Sequence, residues 1–524
     1  VIFSNLEFFV FFAAFVPLYL ATMRHLRAQN VLILAASWLF YGWWDVRFLS
    51  LIAASTCLDY VTGLALAGRP VGPRTFAAPA LALFGLAGGL LAAAVPGAPL
   101  ILALTTAFFA GLAALHLLAA RLAPARRIRL LFWAAIATNL GILGTFKYLG
   151  FFADSFAELA GLFGWEPDVV TLSLVLPVGI SFYTFQSMSY TIDVRRGQVE
   201  PTTDFVQFAA YVSFFPQLVA GPIERASRLL PQFAVRRVLS RERLQEGAML
   251  FLWGFYKKAV VADNLAPLAD RLFADPAAAA PGELLVGVLA FSFQIYCDFS
   301  GYSDMARGLA RGLGFDLMVN FDMPYFARTP SEFWQRWHVS LSSWLRDYLY
   351  IPLGGNRGGR LATVRNLMLT MLIGGLWHGA AWTFVAWGAF HGAILVLYRA
   401  LGVDSALARR TPDQPAGLLL HVAAALVMFG LAVISWVFFR AESFADAFLI
   451  LGRMGELRPV PVWDRLLFHA GPLLAIELWT RLSGRSLPWE RRPLFLRANV
   501  ALFALCAALF LAAAEGQAFI YFDF

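Results

Sequence analysis

Charge is scarce in this chain. Only 14% of its 524 residues are Asp, Glu, Lys or Arg, while 60% are hydrophobic. Soluble domains run near a quarter charged, so an ordinary soluble enzyme is excluded. Cysteine is scarce too. Cys57, Cys297 and Cys506 are the whole complement, and they lie in or beside apolar segments without metal-like spacing. They read as small buried hydrophobes, with no zinc site and no disulfide framework. Several catalytic signatures are missing: there is no Gly-x-Ser-x-Gly elbow, no phosphate-binding P-loop and no His-Glu-x-x-His. The run GGNRGG at 354–359 lacks the Lys-Ser/Thr ending and a preceding strand, and reads as a tight turn with a basic edge. Internal repeats and low-complexity tails are absent as well. The residues call for no metal and no bound cofactor.

What is present is apolar sequence in blocks of membrane-spanning length. Mean hydropathy is +0.67, and a span needs about 20 mainly apolar residues. Such runs cover roughly 4–23, 30–44, 48–68, 75–95, 99–120, 130–152 and 169–191. Further ones lie near 246–262, 283–300, 366–398, 415–438, 466–480 and 494–514. The expectation is an all-α polytopic integral membrane protein with about 11–13 transmembrane helices, re-entrant and amphipathic pieces included. It is read as one integral-membrane domain over 1–524. Residues 1–122 form an N-terminal scaffold, 140–400 a functional core, and 415–524 the C-terminal helices. The opening VIFSNLEFF has no basic lead and no small-residue cleavage site after it, so it reads as a retained helix instead of a signal peptide.

The net charge of +8 is better explained by position than by nucleic acid, since cytoplasmic loops collect Arg and Lys. Arg24 and Arg27 follow the first run, Arg69 and Arg74 the third, and Arg121, Arg126, Arg127 and Arg129 the fifth. An acidic loop with Asp154, Glu158, Glu166 and Asp168 follows the sixth, and Arg195 and Arg196 follow the seventh. This alternation puts the N-terminus outside the cytoplasm. The basic stretch Arg481 to Arg492 before the last run puts the C-terminal EGQAFIYFDF outside too.

Polar side chains concentrate after residue 140, where Lys147, Gln186, Asp193, Gln217, Gln294, Asp298 and Asp304 stand in or beside apolar runs. Ionisable groups at membrane depth are expensive and face a cavity or a partner. The segment 205–225, with Pro216 and a Gly-Pro, is expected to enter the bilayer and turn back, which irregular backbone does only when buried. The segment 331–350 reads as one amphipathic helix. Trp334, Trp337, Leu341, Trp344, Leu345 and Tyr348 share a stripe, and Arg336, Ser340, Ser343 and Asp347 lie opposite. Of seven histidines, His25, His116, His421 and His469 read as structural, and His391 as intermediate. His378, in LWHGAAW within an uncharged stretch, must find a partner or a pocket, and its near-neutral pKa suits proton transfer. His338, in QRWHVS, is the second candidate.

The stretches FWQRWHVSLSSWLRDYLYIPLGGN and LWHGAAWTFVAWGAFHG resemble the membrane-bound O-acyltransferase family. More narrowly they resemble its bacterial branch of alginate O-acetylase membrane subunits. LPVGISFYTFQSMSYTIDVRRG, FFPQLVAGPIER and FSFQIYCDFSGYSDMARGLARGLGF support the likeness. The resemblance implies a helical fold around a central funnel or tunnel and an O-acyltransferase activity in the bacterial inner membrane. It makes His378 the presumed catalytic residue and His338 a second functional one. Asp193, Asp298 and Arg336 become candidate supporting residues. Acetyl-CoA is the implied donor, and Arg225 and Arg228 are suggested to meet its phosphates. The implied partners are a periplasmic acetyltransferase or acceptor protein, an exopolysaccharide such as alginate reached through it, and membrane lipids. Peptidoglycan O-acetylation and D-alanylation of a cell-wall polymer are alternatives in the same family. A transporter and a non-catalytic assembly scaffold are the rivals from other classes.

Overall fold

The computed structural model describes residues 3–165, 175–409, 415–456, 458, 460, 462–513 and 516–520. Glu166, Asp168, the 169–174 start of the seventh apolar run and residues 515 and 521–524 of the C-terminal stretch lie outside them. Among the described residues every regular element is a helix. Eight segments are long and apolar enough to cross a membrane by length and composition. The apolar runs of the sequence lead to an expectation of about 11–13 transmembrane helices. Two of the eight segments, Leu26–Leu66 and Pro124–Gly161, each contain two α-helices, while Leu6–Thr22 is shorter than a full span. Gly359–His378 and Val462–Leu482 are long helices but carry charges.

Two compact units divide the chain. The first comprises Val1–Arg243 and Ala310–Leu317. Its helices Pro73–Ala92 and Ala98–Ala120 turn most of their surface outward, with Leu81, Leu100, Leu104, Leu117 and Leu118 exposed, as a lipid-facing wall requires. Leu49–Leu66 is buried nearly all round. It carries Asp59, which accepts from Thr191 Oγ1 at 2.7 Å and from Asn139 Nδ2 at 3.1 Å, while Ser55 donates to Asn139 at 2.9 Å. The surroundings of Leu49–Leu66 are therefore less apolar than the composition of this part of the chain suggests. The 205–225 segment is buried and broken. Asp204 caps Phe205–Val212 by accepting from Val206 N and Gln207 N, and a second short helix, Phe215–Leu218, follows.

The second unit comprises Leu244–Leu309 and Met318–Phe524. Helices Gly359–His378 and Trp382–Leu401 pack backbone to backbone. A Cβ on Gly375 would sit 2.3 Å from the Phe384 carbonyl oxygen, and one on Gly388 2.3 Å from that of Met371. Only glycine permits that approach. The expected single helix over 331–350 is not formed. Instead Pro330–Arg336 and Val339–Leu345 flank a break, and a π-helical turn, Arg346–Tyr350, follows. The break is at His338, whose backbone is left-handed (φ +43°, ψ 53°). Asn320 pins the new direction. Its carbonyl accepts from Val339 N at 2.9 Å and its Oδ1 from Ser340 Oγ at 2.9 Å, while its Nδ2 donates to Ser303 Oγ at 3.1 Å. Ser340, expected on a polar face, is consequently buried.

Candidate active site

Upstream of the break, the Thr-Pro-Ser-Glu run sets where the chain begins to turn. Thr329 Oγ1 accepts from Glu332 N at 3.2 Å, Pro330 occupies the first turn, and Glu332 reaches back to accept from Arg328 N at 3.0 Å. This is the logic of a capping box, displaced by one residue. The helix so started ends two residues before His338. The left-handed residue then turns the imidazole into the interior, where it is fully buried. His378 is the last residue of Gly359–His378 and is 2% exposed. The two rings lie 6.2 Å apart, centroid to centroid, at 55°.

Aromatic rings enclose the pair. Phe299 stands 4.6 Å from His338, and Trp377 5.8 Å. Trp387 and Phe439 stand 5.0 and 5.5 Å from His378. Gly379 is explained by the same packing, since a Cβ there would lie 2.1 Å from the Phe384 ring. Phe384 and Phe439 also line a cavity of about 390 Å³. Its polar lining includes Thr383, Glu442, Gln294 and Asp270, the last held by Arg440 at 2.9 Å. Gln294 is 8% exposed and its Oε1 has no hydrogen-bond partner. Thus two imidazoles lie together in a low-dielectric cage, with a partly polar cavity one ring away. Such a setting can move a proton on a neutral nucleophile without exposing it to bulk water.

His391, nearby in sequence, is engaged otherwise. Ser435 gives its own hydrogen to the Ala432 carbonyl, so His391 Nε2 donates to Ser435 Oγ at 3.1 Å. Arg336 is part of an ion cluster, meeting Glu332 at 3.0 Å and Asp322 at 3.1 Å, with Arg481 also on Glu332 at 3.3 Å. Asp298 pairs with Lys258 Nζ at 2.7 Å and accepts from Ile520 N at 2.7 Å. Asp193, Arg225 and Arg228 belong to the first unit. Asp193 is buried on Ile180–Arg195, and Arg228 donates to the Leu317 carbonyl at 3.2 Å. Further along the chain, Arg237 donates to Gln29 and Asn30, and Arg243 pairs with Asp316 at 2.9 Å. Partial burial raises the Asp316 carboxyl, but hydrogen bonds and charge from Arg243 and Arg311 outweigh this and hold it below its ordinary value.

Sequence reasoning missed the buried ion network around Lys257 and Lys258. Lys257 pairs with Asp304 at 2.6 Å, and Lys258 with both Asp263 and Asp298 at 2.7 Å. Both lysines sit on a π-helical stretch, Tyr256–Ala262, a geometry frequent at functional sites. Two adjacent lysines after an apolar run look like a helix end at an aqueous surface. The signal available was the run of aspartates at 298 and 304, which required buried partners. Asn320 was missed because nothing in FDLMVNFDM announces a residue that pins a turn 18 positions later. No group of three or more His, Cys, Asp or Glu placed to hold a metal occurs among the described residues.

The family model for membrane-bound O-acyltransferases matches residues 196–439. The chain is 42% identical over 453 residues to "Probable alginate O-acetylase AlgI" of Azotobacter vinelandii, covering 86% of this chain and 77% of that one. The chain belongs to the membrane-bound O-acyltransferase family. It is therefore a multi-pass membrane enzyme that transfers acyl groups to oxygen. The chain is also similar to the "Peptidoglycan O-acetyltransferase" of Helicobacter pylori, 38% identical over 62% of this chain and 64% of that one. The "Teichoic acid D-alanyltransferase" of Streptococcus thermophilus is 30% identical over 44% of this chain and 59% of that one. Both candidate histidines, their aromatic cage, and Lys258 with its two aspartates fall inside the stretch that the membrane-bound O-acyltransferase model matches.

Proposed function

We propose that this enzyme moves an acetyl group from acetyl-CoA, on the cytoplasmic side of the bacterial inner membrane, for O-acetylation of an extracytoplasmic polysaccharide such as alginate. The observation that carries the proposal is the pair of buried histidines 6.2 Å apart beside a partly polar cavity, in a chain 42% identical to a protein named for alginate O-acetylation. His378 is assigned as the general base and His338 as the second imidazole. An acceptor hydroxyl oxygen attacks the thioester carbonyl carbon while His378 takes the hydroxyl proton. The tetrahedral intermediate then collapses, the carbon–sulfur bond breaks, and the imidazolium returns the proton to the departing thiolate. Ester and free thiol are the products. General-base action of this kind is typically worth about two to four decades in rate. Delivery to the polymer through a periplasmic acceptor protein, and termini on the periplasmic side, belong to the same proposal.

A second reading has support in the 38% identity to a peptidoglycan O-acetyltransferase, with peptidoglycan as the final acceptor. The same assay tests both. Purified wild type, His338→Ala and His378→Ala are given radiolabelled acetyl-CoA, and thioester cleavage and label transfer to alginate or peptidoglycan fragments are measured. Wild type is expected to turn over, and His378→Ala, eluting as a folded monodisperse protein, to fall by at least about 100-fold. Undiminished turnover in His378→Ala would remove that residue from the chemistry.

A further inference from the structure

The first unit contains a cavity that plays no part in the acyl-transfer proposal. It measures about 800 Å³, within the range of small-molecule sites. Residues from Leu49–Leu66, Pro73–Ala92, Ala98–Ala120 and Pro124–Leu143 line it. Its chemistry is divided. Along the helices the wall is apolar, formed by Phe76, Ala80, Phe109, Ala113 and Leu117, with the alanines leaving the space that larger side chains would fill. At one end stand Arg69, from the loop after Leu49–Leu66, and Arg127, in the first turn of Pro124–Leu143. No carboxylate lines the cavity.

Two arginines at that end have no acidic partner. Neither Arg69 nor Arg127 forms an ion pair among the described residues, and the buried Nε of Arg127 has no hydrogen-bond partner. His116, one helical turn before Ala120, is 8% exposed. Its Nδ1 bonds the Leu112 carbonyl at 2.9 Å, and its buried Nε2 has no partner. Two guanidinium groups without a carboxylate beside them, at one end of an otherwise apolar cavity, point to a ligand. That ligand carries negative charge at one end and hydrocarbon at the other.

We propose that this cavity binds an anionic phospholipid. The phosphate meets Arg69 and Arg127, and an acyl chain runs along Phe76, Ala80 and Ala113. Basic pockets between membrane helices on the cytoplasmic side are recognised sites for such headgroups. The arginine alternation along the chain assigns this end to that side. Arginine suits the role because its planar fork matches phosphate oxygens.

The test needs no enzymatic turnover, so it stands apart from the acyl-transfer assay. The full chain, purified in an uncharged detergent, is titrated with dioleoyl phosphatidylglycerol, dioleoyl phosphatidylcholine or inorganic phosphate, and bound lipid is counted by native mass spectrometry. The proposal expects phosphatidylglycerol to bind at least ten-fold more tightly than phosphatidylcholine, with inorganic phosphate failing to displace it at comparable concentration. Arg69→Gln combined with Arg127→Gln should abolish that preference, while Arg126→Gln, outside the cavity lining, should preserve it. Ala113→Leu should weaken phosphatidylglycerol binding with both arginines intact, and serves if the double variant does not fold. Equal binding of both lipids by wild type overturns the proposal. So does a preference lost equally in Arg126→Gln, which would mark diffuse surface charge, or displacement by inorganic phosphate, which would mark a site for the ion alone.

Discussion

His338 sits where the chain turns, and its backbone conformation is as informative as its side chain. A non-glycine residue in the left-handed region costs about 1–2 kcal/mol, and such residues cluster where the surrounding structure over-determines them. Here Asn320 supplies that constraint through Val339, Ser340 and Ser303. Glycine would adopt the same turn without strain, so the two properties of this position can be separated. His338→Gly should be more stable than His338→Ala by about 1 kcal/mol, with both variants equally deprived of the imidazole. Thermal unfolding of the two in the same detergent measures the difference. A His338→Gly variant clearly less stable than His338→Ala would mean that the left-handed backbone at this position carries no strain for glycine to relieve. The histidine was legible in the sequence as a residue type in a motif. Its left-handed turn was not, because the stripe of Trp334, Trp337, Leu341 and Trp344 satisfies helical periodicity on both sides of the break.

Helix pairing sets the position of His378, which ends one member of the glycine-packed pair Gly359–His378 and Trp382–Leu401. Gly388→Ala puts a methyl group 2.3 Å from the Met371 carbonyl oxygen, a backbone atom that cannot rotate away. The helices must move apart. Overpacking of this kind costs about 1–3 kcal/mol, and a displacement near 1 Å at a reacting group costs about 100-fold in rate. Gly388→Ala is thus expected to lower both the unfolding temperature and kcat. Gly85→Ala, with nothing within 4 Å of its new methyl, should leave both unchanged. If Gly388→Ala behaves like Gly85→Ala, close packing of this pair is not what places His378. Long apolar helices were readable from the sequence because a run of about 20 hydrophobic residues has few alternatives in lipid. The interruptions were not. The π-helical turn at Tyr256–Ala262 is stabilised by ion pairs from Asp298 and Asp304, some 40 residues distant, and no local propensity encodes it.

Over the whole molecule, the charge pattern makes a claim about sidedness that the helices of the first unit sharpen. Arg69 lies in the short loop between Leu49–Leu66 and Pro73–Ala92, and Arg121 in that between Ala98–Ala120 and Pro124–Leu143. The loop between Pro73–Ala92 and Ala98–Ala120, AAVPG, holds no charge at all. Short loops are the ones in which Arg and Lys decide orientation. With helices that cross in succession, the two arginine loops share a side and the uncharged loop takes the other. Single reporters can read this directly. Exposed Cys506 is replaced by serine, and Ala93→Cys and Pro70→Cys are introduced separately, both positions being exposed. A maleimide that cannot cross the inner membrane should label Ala93→Cys in intact spheroplasts and label Pro70→Cys only after lysis. The reverse pattern would invert the topology. It would also place the arginine end of the phospholipid cavity on the outer leaflet.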